Sequence, residues 1–191
     1  RLEPVHADDL TVAAVAWICN GQPARARDLL DQALDLDPHQ KMAAMAMARV
    51  ASPLPATALT ALRWHAETDQ AAVQQLIAHV AATGEAQAFV AAREVRCLVP
   101  AGSWHVALCW QELTLAEVKL APLDQVRQVV LPCPGPLRGI VDPTVHIDGA
   151  PLSQGALQAS LLAIPRLTAA VQVVAPSIWH IQASRTAIAR W

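Results

Sequence analysis

The chain has 191 residues, enough for one ordinary domain or two small ones, and either can bury a core. Hydrophobic residues make up 54% of it and charged residues 16%, a balance that predicts a folded chain and excludes an intrinsically disordered one. The formal net charge is -2, with -3 over residues 1–96 and +1 over residues 97–191. Neither half therefore has the basic surface of a nucleic-acid-binding protein or of a protein that docks on anionic membranes.

Cysteine and arginine usage indicate where the protein resides. Four cysteines are too few for a secreted disulfide scaffold, so we expect free thiols, no zinc and a cytoplasmic location. Twelve of the fourteen basic residues are arginine, which together with abundant alanine indicates a bacterial source. No apolar run reaches the roughly 18 residues of a membrane-spanning helix. Because the chain starts at Arg1, we also consider a fragment or processed product of a larger protein.

Helical periodicity runs through the first half of the chain. The predicted helices cover about 10–20, 23–36, 39–51, 56–66, 71–82 and 85–96. Asp8 and Asp9 supply an N-cap and acidic charge for the first helix, and Pro23 suits the first turn of the second. The inward face of the first helix is predicted at Leu10, Ala13, Ala14 and Trp17. On the second helix, a solvent-exposed acidic row is predicted at Asp28, Asp31 and Asp35.

The third predicted helix contains all three methionines. Met42 and Met45 share one helical face, which we expect to pack in the core together with Ala46. The alternative is that Met42, Met45 and Met47 form an adaptable binding surface, since methionine side chains adjust readily to different partners.

After Arg96 the pattern changes to short β-like runs with many prolines and glycines. Strands are predicted over 103–111 and 126–131, a short helix from Thr114, a proline loop over 132–136, a hairpin over 145–150, a helix over 154–164, and strands over 167–174 and 178–182. Asp148-Gly149 fits a type I′ turn. The predicted fold class is α+β, with a helical region over 8–96 and an α+β region over 97–191.

Strand 103–111 has two different faces. Its even-numbered face is apolar and is predicted to lie in the core: Trp104, Val106, Leu108 and Trp110. His105 and Cys109 are predicted to point to the opposite side.

One segment carries a recognisable motif. Residues 21–38 read GQPARARDLLDQALDLDP, with small and large residues at the spacing of a helical hairpin. The motif positions are Gly21, Ala26, Leu30, Ala33, Leu34 and Pro38, and Trp17 lies in the preceding helix. This pattern resembles the second half of a tetratricopeptide repeat, and the resemblance covers residues 8–38. It implies a helical hairpin in which small residues let the helices approach closely.

The resemblance has limits. Leu10 and Ala14 depart from the repeat pattern, and the following 34 residues match it only at scattered positions such as Ala58 and Leu62. The same hairpin also resembles one near the C-terminus of an uncharacterised actinobacterial family, which implies a source but no activity.

No common catalytic or metal-binding motif is present, so we assign no catalytic, cofactor-binding or metal-binding residues. His105, Cys97, Cys109 and Cys133 are candidate zinc ligands, but their spacing fits no common zinc module. Cys133 is also a candidate reactive thiol, with His146 or His180 as its base. We expect these residues to have ordinary structural roles and no chemical one.

The function favoured by the sequence is a non-catalytic interaction or scaffold protein whose partner is another protein. The alternatives are an enzyme of an unfamiliar family with its site in the C-terminal region, and a structural fragment of a larger protein. An interaction module should expose an apolar or mixed groove along its helices. An enzyme should show convergent polar groups that include His105, His146 or His180.

Overall fold

The computed structural model describes residues 6–91, 94–110, 113–132 and 144–152. The chain divides into two compact units, 1–87 and 88–191, whereas the sequence predicts the boundary between 96 and 97. Several predicted features lie outside the described residues: most of the loop at 132–136, the elements at 154–164, 167–174 and 178–182, and with them Cys133 and His180.

The described part of the first unit is a set of five helices. They are α1 (Ala7–Cys19), α2 (Pro23–Leu36), α3 (Lys41–Val50), α4 (Ala56–His65) and α5 (Gln70–Thr83). The Gln40 side-chain oxygen accepts the backbone N–H of Met42 at 2.7 Å and caps α3. Asp69 caps α5 by accepting the N–H of Ala71 at 2.8 Å, and Gly84 ends α5 with a φ of 72°. These five helices confirm five of the six helices predicted for the first half of the chain. The predicted N-cap at Asp8 or Asp9 is wrong, because α1 begins at Ala7 after His6, but both carboxylates do lie in its first turn. None of the described helices is long and apolar enough to cross a membrane.

Helices α1 and α2 pack against each other, as the small-residue spacing predicts. The fully buried side chains in this pair are Ala14, Ala26, Leu30 and Ala33. Trp17 is half-buried, and the Arg25 guanidinium carbon lies 4.9 Å from the centre of its indole ring. Ala13 is exposed, so its predicted inward position is wrong, and Thr11 is buried in its place. The tetratricopeptide resemblance itself stays a prediction.

The second unit contains two antiparallel sheets, which makes the whole chain α+β. Its strands are β1 (Gln87–Ala91), β2 (Glu94–Val99), β3 (Gly102–Trp110), β4 (Leu113–Leu123), β5 (Arg127–Pro132), β6 (Thr144–Ile147) and β7 (Ala150–Pro151). One sheet has the order β1-β2-β5 and the other β4-β3-β6-β7. Strand β5 contacts β3 and β4, so the two sheets share a core. The β6–β7 turn has φ values of 50° at Asp148 and 82° at Gly149, which confirms the predicted hairpin.

Two predicted helices are strands. The segment 85–96 contains β1 and the first half of β2, because β2 pairs with β5 from Glu94 to Val99 and this long-range pairing outweighs local helix propensity. The segment from Thr114 forms β4, paired along β3. The register shifts between Leu108 and Cys109, which leaves an extra residue in β4 and hides the period-two alternation in the sequence.

The predicted core face of β3 is confirmed for three of its four residues, Val106, Leu108 and Trp110. Val106 and Leu108 are fully buried and Trp110 is 6% exposed. Trp104 is half-buried, and its indole N–H donates to the carbonyl of Pro100 at 2.9 Å. His105 and Cys109 lie on the opposite side, partly exposed.

Candidate functional site

Helix α1 presents an unusually apolar surface to solvent. Its charged residues are Asp8 and Asp9, both in the first turn. Val12 is 71% exposed and Val15 is 38% exposed. Asp8, Val12, Val15 and Cys19 lie at i, i+4, i+7 and i+11, so they form one exposed stripe along the helix. A helix that is apolar on all sides is usually covered by another element.

Helix α3 adds methionine to the same surface. Met42 is 58% exposed and Met45 is half-buried, whereas Met47 is fully buried. The prediction that Met42 packs in the core is therefore wrong. The buried side of α3 is formed instead by Met47 and three alanines, Ala43, Ala44 and Ala46. Those small side chains let the neighbouring helices approach closely and leave the longer Met42 on the outside. The alternative of an adaptable methionine surface gains support.

The outer sides of α1 and α3 enclose a groove of about 440 Å³, with Gln75 of α5 also contributing to its wall. Its lining is Val15, Ile18, Cys19, Lys41, Met42, Met45, Ala46, Arg49 and Gln75. The groove opens to solvent, because Val15 and Met42 in its wall are exposed. Its volume lies within the range of binding sites in proteins. We refer to this groove together with the α1 stripe as the α1–α3 face.

The charges on the α1–α3 face are separated along its length. The Gln40 side-chain amide donates to Asp8, which joins the N-terminal ends of α3 and α1. Ile18 and Cys19 near the end of α1 line the same groove as Arg49 near the end of α3, so the two helices run in the same direction. Asp8 and Asp9 lie at this end, and Arg49 lies at the other end beside Ile18 and Cys19. Within the described part of the chain, Arg49 forms no ion pair.

A further cation lies at the acidic end, but it is already paired. Lys41 forms a salt bridge with Asp69. The pKa of Asp69 is lowered by the hydrogen bond from Lys41 and next by the backbone N–H of Ala71. The face therefore has an acidic end, an apolar middle and a basic end.

A second cavity, of about 230 Å³, lies between α3 and α5. His79 lines it, is 6% exposed, and its Nε2 has no hydrogen-bond partner among the described residues. Burial lowers the pKa of His79 and outweighs Glu85, which raises it, while the nearby Arg63 also lowers it, so the imidazole is neutral at pH 7. Arg63 is itself held by Gln87, whose side-chain oxygen accepts its Nε–H at 2.9 Å. His79 therefore fits a structural role in the helical core.

The four-stranded sheet carries a cluster of polar side chains around Ala107. Glu117 and His146 lie opposite Ala107 on the two neighbouring strands, and His105 and Cys109 flank it along β3. His105 Nε2 lies 2.9 Å from Glu117 Oε2, and Thr144 Oγ1 lies 3.0 Å from His146 Nε2. The structure thus brings three sequence candidates, His105, Cys109 and His146, to one face of one sheet.

The remaining candidates are not part of that cluster. Cys97 is fully buried in β2 of the other sheet, and burial raises the pKa of its thiol to about 12, so it is a poor nucleophile. Across the residues that the structure describes, no three histidine, cysteine or acidic side chains converge as metal ligands. Cys133 and His180 lie outside the described residues.

Three residues of the face, Val12, Val15 and Arg49, are not predicted from the sequence. The available signal was the absence of charge from α1 after Asp9, which marks a helix with no solvent-adapted face. No family model, curated protein or solved structure matches the chain.

Proposed function

We propose that this chain is a non-catalytic interaction or scaffold protein that binds another protein chain along the α1–α3 face. The observation that carries the proposal is the exposed stripe of α1, where Val12 and Val15 meet solvent and Val15 lines the groove together with the exposed Met42 of α3. Soluble domains rarely leave such residues contiguous and uncovered, and helix-in-groove recognition uses apolar anchors at this spacing. The resemblance of residues 8–38 to a tetratricopeptide hairpin also supports this proposal.

The proposed setting is the bacterial cytoplasm, with a protein as partner rather than nucleic acid or a membrane. The three described cysteines, Cys19, Cys97 and Cys109, are free thiols, which agrees with a reducing compartment. The near-neutral net charge gives no electrostatic reason to expect binding to nucleic acid.

The proposal is tested by alkylation of Cys19, which lies in the exposed stripe of α1. In bacterial cells that express the chain, we expect a permeant maleimide to modify Cys19 at least about tenfold more slowly than in the Val15→Asp variant. A charge at Val15 should displace any apolar partner. The matched control is Asp28→Cys in a Cys19→Ser background, because residue 28 is exposed on α2 away from the face. Equal rates of Cys19 modification in the parent and in Val15→Asp reject the proposal.

A second candidate function is catalysis at the polar cluster around Ala107. It is favoured by the contact of His105 with Glu117, because a carboxylate that orients an imidazole is a recurring feature of general-base sites. If the cluster is catalytic, His105→Gln and Glu117→Gln should abolish a measurable activity and leave the melting temperature nearly unchanged. The interaction proposal expects neither variant to alter association through the α1–α3 face.

A further inference from the structure

We propose that the occupant of the α1–α3 face is a second copy of this chain, related by a two-fold axis that sets the α1 helices antiparallel. This inference rests on the proposed function and names its partner. The order of charges along the face favours this occupant: Asp8 and Asp9 lie at one end, Val12, Val15 and Met45 lie in the middle, and Arg49 lies at the other end.

That order is self-complementary under a two-fold rotation. An axis that lies in the plane of the interface, perpendicular to α1 and through the middle of the face, reverses the direction of the helix. It therefore brings the acidic end of one copy onto the basic end of the other, twice. Asp8 then lies at the same end of the interface as Arg49 of the second copy, and the apolar middle lies against its own image. A face with one kind of charge throughout would repel a second copy.

The size and shape of α1 suit such a contact. Asp8 and Cys19 are eleven residues apart in the helix, a rise of about 16 Å, so the two charged ends flank an apolar stretch of three turns. Ala13 and Ala16 are exposed beside the stripe, and small side chains allow two helices to approach closely. The pairs also leave no cation of the face without a carboxylate, because Lys41 already pairs with Asp69.

The test uses charge reversal in the full-length chain, measured by sedimentation equilibrium. The parent protein should be a dimer. Asp8→Arg and Arg49→Glu should each raise the dimer dissociation constant at least about tenfold, since each places like charges together at two symmetric contacts. When the two variants are mixed in equal amounts, every cross-interface contact again joins an acid to a base. A 1:1 heterodimer should then form, with a dissociation constant within about threefold of the parent value.

Two controls keep the result interpretable. Arg27→Glu reverses an exposed charge on α2 outside the face and should leave the dissociation constant unchanged. Circular dichroism verifies that each variant folds. A variant that fails to fold would also fail to form the heterodimer. Asp9→Arg is therefore measured in parallel with Asp8→Arg.

A parent protein that is monomeric at every soluble concentration overturns the inference. It is also overturned if Arg49→Glu forms a heterodimer with neither Asp8→Arg nor Asp9→Arg. These outcomes differ from failure of the proposed function. A monomer whose Cys19 is still protected in cells excludes the second copy and leaves an interaction with a different protein. A monomer whose Cys19 is freely modified excludes both.

Discussion

Ala26 of α2 is the position where added volume should disturb the helical hairpin most. Its side chain is fully buried where α2 packs against α1, and Ala14 and Leu30 in the same helix pair are also fully buried. Ala26→Leu adds three carbon atoms at this fully buried position. Overpacking of this kind costs about 1–3 kcal/mol in the free energy of unfolding. For a unit of this size, 1 kcal/mol corresponds to about 4–8 °C in melting temperature, so we expect a fall of at least about 4 °C.

The matched control is Ala24→Leu on the same helix. Ala24 is exposed, leucine has nearly the helix propensity of alanine, and surface substitutions usually change stability by less than about 0.5 kcal/mol. Urea unfolding followed by circular dichroism gives the free energy of unfolding for both variants. If Ala26→Leu is as stable as Ala24→Leu, close packing of small residues does not hold the hairpin, and the reasoning is refuted.

Three further predictions follow from buried groups. Leu108→Ala should lower the free energy of unfolding by about 2–5 kcal/mol, and His105→Ala on the opposite face of β3 by much less, as chemical denaturation would reveal. In native protein at pH 8, Cys97 should resist thiol reagents because the pKa of its thiol is raised to about 12. After denaturation without reductant, all four cysteines should titrate as free thiols, and elemental analysis should find no stoichiometric zinc. The lowered pKa of His79 means that the unfolded chain takes up a proton first as pH falls below about 6.5. Stability should therefore fall over that range, and His79→Gln should remove part of this pH dependence; an unchanged slope would contradict the buried neutral imidazole.

The sequence predicts the helices well where caps and breakers agree with periodicity. Pro23 begins α2 as expected, Asp69 and Gly84 bound α5, and Asp148-Gly149 forms its turn. In each case a local hydrogen bond or backbone angle determines the structure, and the type of residue at that position indicates it. Strand β3 was predictable for a related reason, since its period-two alternation reports which side meets the core.

The secondary-structure predictions are wrong where strand pairing between distant segments determines the structure. The segment 85–96 has the alanine-rich composition of a helix, yet β2 pairs with residues of β5 that lie 28 to 38 positions later in the chain. In the region after Thr114, a register shift interrupts the alternation that would have identified a strand. No local pattern contains either piece of information.

The candidate site was predictable only in part. The sequence placed the methionines on α3 and offered a binding surface as the alternative, but it could not tell that Met42 faces outward, because helical phase depends on which neighbours pack first. The separation of Asp8 from Arg49 across the α1–α3 face also depends on α1 and α3 running in the same direction, which only the tertiary structure shows.

The most direct measurement of the central claim is photo-crosslinking from the middle of the α1–α3 face in living cells. A benzophenone amino acid at Val12 should form a discrete crosslinked product with a protein, identified by mass spectrometry, and the product should disappear in the Val15→Asp background. The same probe at Asp28 on α2 should give no such product. If the Val12 and Asp28 probes give the same result, or if the Val12 product survives Val15→Asp, the α1–α3 face is not a protein-binding surface.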